Sequence, residues 1–550
     1  MPPTTSTPPV RPPLPTAADL PASASATPVV GQVFAIAERT PDAVALTAFA
    51  GAVGETRRTY AELRRDVTRL ADGLRRAGVR PGERLGILVD SRHAAQAMTA
   101  IFASNLLGAV VVPLNARYAA RELRDALRRS GCATLIAAPD QLETLARIRA
   151  DLPDLLRVIP AEAGAAGAPG YAEILDAGDA EAGGWPRLDP DAMSEIMFTS
   201  GTTAAPKAAV TTHGRTAASA HIYRALLELT REDVLHSFFP IFTTASTRCV
   251  ALPALTAGAR AVLDPAMDVP EVVARMGRER STLYYAVPAF YIFLLEAAQQ
   301  AEAAGRPLSL PDLRLLIYGG AAMPEATIAE LRRRFPGLAA MQTLGSTETG
   351  ATGAALQPEF AAAKLGSVGK AYPFTDVRLV DDAGREVATG EVGEFAVRSG
   401  GCFREYLDDP ENTAATIRDG WVLMGDLGKR DADGFLFHVD RKKDIIIRGG
   451  HNIGSMEVES ALYEHPGVAE AAAVAVPHPR LGEDVFVFVV RSPGSQVNAE
   501  TLTAHCRARL ADYKAPRRIA FIAQMPRNPM GKIVKTELRE QARRIAEAPA

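Results

Sequence analysis

Three features of the sequence predict an α/β fold. Strands and helices alternate over residues 60–137, an antiparallel strand pair lies within 377–398, and a compact mixed unit follows residue 440. The expected architecture is a large N-terminal domain of stacked α/β sheets with a β subdomain, and a small α+β C-terminal domain. Its 550 residues, 47% hydrophobic, are enough for two to four such structural units.

Apolar residues from Tyr60 to Gly78 recur at helical spacing, and Arg84 to Val89 reads as a buried strand. Ala94 to Leu107 is again helical, followed by a strand over Gly108 to Pro113, a helix over Leu123 to Ser130 and a strand over Thr134 to Ala137. Such alternation is the pattern of a parallel sheet with crossover helices. Val158 to Leu188 is Gly- and Ala-rich with little periodicity and is expected to be a surface excursion. Glu195 to Phe198 is a strand that runs into a Ser/Thr/Gly-rich turn. Val377 to Val380 and Gly393 to Arg398 form the antiparallel pair, with a turn at Asp381 to Gly384. In the last unit, strands are expected at 445–447, near Val474 and over 485–490, with helices from Met456 to Glu464 and Ala499 to Leu510.

The first 28 residues are rich in Pro, Thr, Ser and Ala, which predicts a disordered tail without the pattern of a secretory signal. A second tail is expected over 541–550. Net charge is -3 and there is no long basic run, which argues against nucleic-acid binding. No apolar run reaches the ~18 residues of a membrane span. Cys132, Cys249, Cys402 and Cys506 form no C-x-x-C pair and read as packing residues in a reducing, cytoplasmic protein.

The strand ending at Thr199 opens a loop of Ser200, Gly201, Thr202, Thr203, Ala204, Ala205, Pro206 and Lys207. Hydroxyls and backbone N–H groups can cradle phosphate oxygens, and the lysine adds a point charge. It is not a Walker A loop, because no Gly-Lys-Ser/Thr closes it. The segment resembles the phosphate loop of the adenylate-forming superfamily (acyl-CoA synthetases, nonribosomal adenylation domains and beetle luciferases), T-S-G-[ST]-T-G-x-P-K-G. Ala204 and Ala208 stand where that pattern has glycine.

The resemblance extends from about residue 30 to 537 and is closest to acyl-CoA ligases. Gly319, Gly320 and Ala321 resemble the turn beside the adenine and acyl pockets. Leu344, Gly345, Ser346, Thr347 and Glu348 resemble Y-G-x-T-E, which implies Thr347 at the α-phosphate and Glu348 on Mg²⁺, with Leu344 replacing the aromatic at adenine. Trp421 to Asp426 resembles W-x-x-[ST]-G-D, with Asp426 on the ribose and Met424 replacing Ser/Thr. Asp440 to Asp444 resembles the family hinge (441–444), with Arg441 near ribose or phosphate and Lys443 as the pivot of a mobile C-terminal domain over 445–540. Arg448, Gly449 and Gly450 resemble the segment along which the pantetheine arm of coenzyme A passes; His451 reads as an exposed loop residue and Ser455 replaces a proline. Pro529 to Lys535 resembles the C-terminal motif whose catalytic lysine is Lys532. Pro240 to Thr243 resembles P-x-F-H, with Thr243 for histidine; Thr243, Ala286, Val287, Tyr318, Gly319 and Thr343 are the implied acyl pocket.

The implied activity is acyl-CoA formation. A carboxylate attacks the α-phosphate of Mg·ATP to give acyl-AMP, and a thiol then displaces AMP after the small domain rotates. The acid is expected to be bulky, hydrophobic or aromatic, and the pathway a specialised one. Alanine at 204 and 208 raises a sharper expectation, that adenylation is impaired and a partner ligase supplies the acyl-AMP. Loading of a carrier-protein thiol and non-catalytic binding of an acyl-adenylate are the alternatives.

Overall fold

The structure, a computed structural model, describes residues 14–50, 54–162, 169–199, 206–265, 268–320, 323, 325–527 and 533–547. Local chemistry accounts for the element ends. The helix Tyr60–Arg76 starts at Thr59, whose hydroxyl accepts from Glu62 N–H while the Glu62 carboxylate accepts from Thr59 N–H. It buries Leu63, Val67, Leu70 and Leu74 on one face and carries Arg75 and Arg76 at its negative end. The helix Ala94–Leu107 stops at Gly108, whose φ of 78° suits glycine.

Among the described residues the strands make four sheets. The first has nine strands, in the order Lys370–Ala371, Gly353–Leu356, Ala339–Gly345, Leu315–Gly319, Leu283–Ala286, Val234–Ser237, Arg260–Leu263, Val44–Phe49 and Glu55–Thr59. Its six inner strands from Ala339–Gly345 to Val44–Phe49 are parallel. The second has seven: Glu405–Tyr406, Lys207–Thr212, Met193–Thr199, Val110–Pro113, Arg84–Leu88, Thr134–Ala137 and Arg157–Pro160. The main core joins the two sheets through the helices between them, including Ile87 and Val111 from one sheet and Leu235 and Ile317 from the other. The third sheet is the antiparallel β subdomain, in which Val377 pairs with Val397 and Asp426 with Arg441. The fourth belongs to the C-terminal unit, where Val468–His478 and Gly482–Arg491 form its longest pair.

Three expectations are corrected. Residues 14–28 are not a loose tail: Pro15 C=O accepts from Phe374 N–H at 2.6 Å, Ala17 N–H donates to Asp376 Oδ1 at 3.2 Å, and Ala24 is buried. These contacts use mainly backbone, so a Pro- and Ala-rich composition conceals them. The excursion at 158–188 contains the end of the strand Arg157–Pro160 and a helix, Tyr171–Ala177, whose Tyr171 and Ile174 enter the main core. It packs so closely that a Cβ on Gly73 would meet Ile174 O at 1.9 Å, an approach that apolar periodicity does not signal. Finally, the helix Lys535–Glu547 runs into the expected C-terminal tail, because Leu538 and Ala542 share one buried face.

Candidate active site

The parallel strands deliver the site residues at their carboxyl ends, as open α/β sheets generally do. Thr199 ends one strand of the second sheet and is paired with Lys207 on the antiparallel return, so the two form the stem of the expected phosphate loop. Ser200, Gly201, Thr202, Thr203, Ala204, Ala321 and Lys532 lie outside the described residues.

Lys207 Nζ donates to Asn412 Oδ1 at 2.6 Å and sits 4.9 Å from the centre of the Tyr406 ring. The Tyr406 hydroxyl donates to Glu348 Oε1 at 2.8 Å. Burial and the Glu348 carboxylate keep that hydroxyl protonated far above the ordinary phenol range. Asn412 is itself held by Asp409, whose carboxyl its amide keeps below the usual carboxylate range. The loop lysine and the expected metal ligand therefore meet on one tyrosine. Tyr406 was missed from sequence because it lies in no recognisable chemical motif and meets Glu348 only through the fold.

Gly345 opens the turn that carries Thr347 and Glu348; a Cβ there would meet Ala351 O at 2.3 Å. Ser346 and Thr349 brace the turn through reciprocal backbone-to-hydroxyl bonds of 3.0 and 3.2 Å. The Thr347 hydroxyl lies 3.1 Å from that of Thr244, which also donates to Met197 Sδ. Leu344 packs against the core between the first and third sheets, while Gly320 follows its strand with φ 80°. Asp426 and Arg441 are cross-strand partners, with Arg441 Nε 3.4 Å and His438 Nε2 3.2 Å from Asp426 Oδ1.

The residues expected to line the acyl pocket divide between two faces of the first sheet. Thr343 Oγ1 bonds the Tyr285 hydroxyl at 2.6 Å, and a Cβ on Gly319 would crowd both groups. Val287 packs from the same side. Ala286 and Tyr318, one residue out of phase, turn to the opposite face and join the core with Phe290 and Tyr291. The Thr243 hydroxyl is occupied by Pro240 O and Ser246 N–H, at 2.8 and 3.1 Å, so Thr244 is the residue that reaches the Thr347 turn. Ala208 is also corrected. It is a strand residue without positive φ, opposite Phe198, and its methyl is fully buried among Ile196, Val210 and Leu407. It carries no backbone strain.

In the C-terminal unit Gly449 and Gly450, with φ 56° and 82°, form the exposed two-residue tip of the hairpin Ile446–Arg448 and His451–Ile453. Arg448 is buried, with Nη1 donating to Tyr513 O and Nε 2.8 Å from Asp484, so its guanidinium is engaged within the unit. His451 is exposed but belongs to a strand and stacks on Tyr513 at 4.5 Å. Burial and the neighbouring Arg441 lower the pKa of the Lys443 ammonium. Asp440 accepts from Ser455 N–H at the start of the helix Ser455–Tyr463, which joins the last strand of the β subdomain to the small unit. Lys535 Nζ contacts Ser455 Oγ at 2.5 Å and Glu459 Oε1 at 2.7 Å, three residues after the expected catalytic lysine. All four cysteines are free and buried. Among the described residues no helix is long and apolar enough to cross a membrane.

A family model described as AMP-binding enzyme matches residues 33–407, and one described as AMP-binding enzyme C-terminal domain matches 457–532. A feruloyl-CoA synthase of an Amycolatopsis sp is 39% identical over 490 residues, covering 89% of this chain and 94% of the relative. An indoleacetate–CoA ligase of Aromatoleum aromaticum is 33% identical over 483 residues, covering 88% and 92%. Among solved structures, the anthranilate CoA ligase AuaEII in complex with anthranoyl-AMP matches with TM-score 0.86 and 25% identity, covering 97% of this chain and 100% of that one.

Proposed function

Because the chain belongs to the AMP-binding enzyme family and is an acid–thiol ligase using ATP, Mg²⁺ and coenzyme A, we propose that it converts a bulky aromatic carboxylic acid to its CoA thioester through an acyl-AMP. The observation that carries this reading is the convergence of Lys207 and Glu348 on Tyr406, with Glu348 carried on the same turn as Thr347, which Thr244 meets. The names of the feruloyl, indoleacetate and anthranilate relatives support the aromatic class.

In the first half-reaction the acid's carboxylate attacks the α-phosphorus of ATP and pyrophosphate leaves. Lys207 offsets phosphate charge, Thr347 donates to the α-phosphate, and Asp426 with Arg441 holds the ribose. The Glu348 carboxylate, fixed through Oε1, suits a hard divalent cation, which when bound offsets the charge of the phosphate oxygens. Lys532 reaches the carboxylate in this step. Lys443 then serves as the pivot about which the unit after residue 444 turns, and the glycine tip at 449–450 leaves room for the pantetheine arm. The CoA thiolate attacks the acyl carbon and AMP leaves. Four buried free thiols support a cytoplasmic setting.

A second reading rests on Ala204: a thioester-forming specialist supplied with acyl-AMP by a partner ligase. One experiment separates the two. Aromatic acids with Mg·ATP and CoA, and in parallel their synthetic adenylates with CoA, are followed for acyl-CoA by mass spectrometry. Product from both mixtures is expected. Product from adenylates alone selects the specialist, and product from neither overturns both readings.

A further inference from the structure

Behind the Thr347 turn, a buried ion pair lies along the same face of one strand. Thr199, Met197 and Glu195 alternate along Met193–Thr199 and project to one side. Thr199 forms the stem of the phosphate loop, and Met197 is in contact with Thr244, which in turn meets Thr347. Glu195 is two residues further from the phosphates, about 7 Å deeper at the usual strand rise. There it pairs with Arg248.

Arg248 stands four residues after Thr244, on the π-helical turn Ala245–Ala251. Residues four apart on such a turn lie nearly one above the other, so Thr244 and Arg248 match the two-residue step between Met197 and Glu195. The Arg248 side chain is 2% exposed, and its Nη1 has no hydrogen-bond partner among the described residues. The Glu195 side chain retains 10% exposure although it lies on an inner strand. The strand is bulged between Met193 and Glu195, a device that re-aims side chains beside active sites. A buried guanidinium with an unused donor is costly in a core that serves packing alone.

We infer that Arg248 and Glu195 form the distal end of the acyl site and read a hydroxyl on the ring of an aromatic acid, opposite the chain that bears the carboxyl group. The hydroxyl donates to Glu195 and accepts from Arg248 Nη1. The step of about 7 Å from Met197 to Glu195 along the strand is comparable to the length of a ring carried on a short side chain. This rests on the proposed aromatic-acid activity and adds the feature by which the acid is selected. An acid lacking the hydroxyl leaves both charged groups without their ligand, which is how polar sites reject such analogues.

The test compares kcat/KM for one aromatic acid with and without the ring hydroxyl, in the wild type, in R248M and in the charge-free pair R248M/E195Q. The wild type is expected to favour the hydroxylated acid by about tenfold or more, and both variants to bring the ratio to about one while still turning over the plain acid. A wild-type ratio near one, or a variant that loses both acids equally and keeps the ratio, overturns the inference and leaves the ligase reading intact. The double variant guards against misfolding caused by an unpaired Glu195, and the wild-type ratio decides alone if neither variant folds. Absence of acyl-CoA from every acid and every adenylate is the distinct result that removes the ligase reading.

Discussion

The Tyr406 hydroxyl holds Glu348 Oε1 at 2.8 Å while the Lys207 ammonium lies 4.9 Å above the same ring. One side chain thus contacts both the expected metal ligand and the lysine of the expected phosphate loop. Tyr406→Phe keeps the ring and removes a hydrogen bond to a charged group, worth about 1.5–3 kcal/mol. Pyrophosphate release should fall about 10- to 100-fold and the Mg²⁺ requirement should rise. Conversion of synthetic acyl-AMP to acyl-CoA should change little. Equal loss in both half-reactions would assign Tyr406 to the fold rather than to phosphate positioning.

The two alanines of the phosphate-loop motif should separate on mutation. Ala208→Gly removes a methyl buried beside Ile196 and Val210, so stability should fall by about 1 kcal/mol with no gain in pyrophosphate release. Ala204→Gly should leave pyrophosphate release within the same order of magnitude. A rise of about tenfold would make Ala204 the brake on adenylation.

Lys535 ties the C-terminal motif to the helix Ser455–Tyr463 through Ser455 and Glu459. Burial raises the pKa of Glu459, and Lys535 works against that rise. Lys535→Met should destabilise the C-terminal unit by about 3 kcal/mol in chemical denaturation, because it leaves a carboxylate unpaired. Lys535→Met with Glu459→Gln should recover most of that loss. Additive effects of the two changes would rule out coupling.

His213, buried at the start of the helix His213–Leu226, has its pKa pushed down by burial to about 4, from 6.5. The unfolded chain takes up this proton first. The contribution to stability is therefore whole above about pH 6.5 and falls progressively to about pH 4, by on the order of 3 kcal/mol. His213→Gln should flatten the pH dependence of the denaturation midpoint over that window.

Much of the fold was legible because buried strands and amphipathic helices carry their own periodicity: Ala94 to Leu107 and Thr134 to Ala137 match to the residue. Thr347, Asp426 and Arg441 were singled out by family resemblance alone, and pairing across strands joins the last two. What could not be read depends on contacts distant in sequence. Tyr406 meets Glu348 across 58 residues, and Arg248 meets Glu195 across 53. The residues expected around the acyl group divide by phase: adjacent strand residues point oppositely, so Ala286 and Tyr285 belong to different cores, a division that motif resemblance does not signal. The strap at 14–28 eluded composition because it is fastened by backbone groups.

The π-turn Ala245–Ala251 also bears on how this pocket could diverge. Such a turn holds one residue more than the α-helix it interrupts. Deleting that residue would let the segment relax to ordinary winding and rotate the flanking side chains by about 100° relative to one another. Arg248 would swing off Glu195, while Thr244 could remain anchored at the Thr347 turn. A single-codon deletion could thereby change which acids are accepted without disturbing the chemistry of activation, giving descendants of this gene a short route to new substrates.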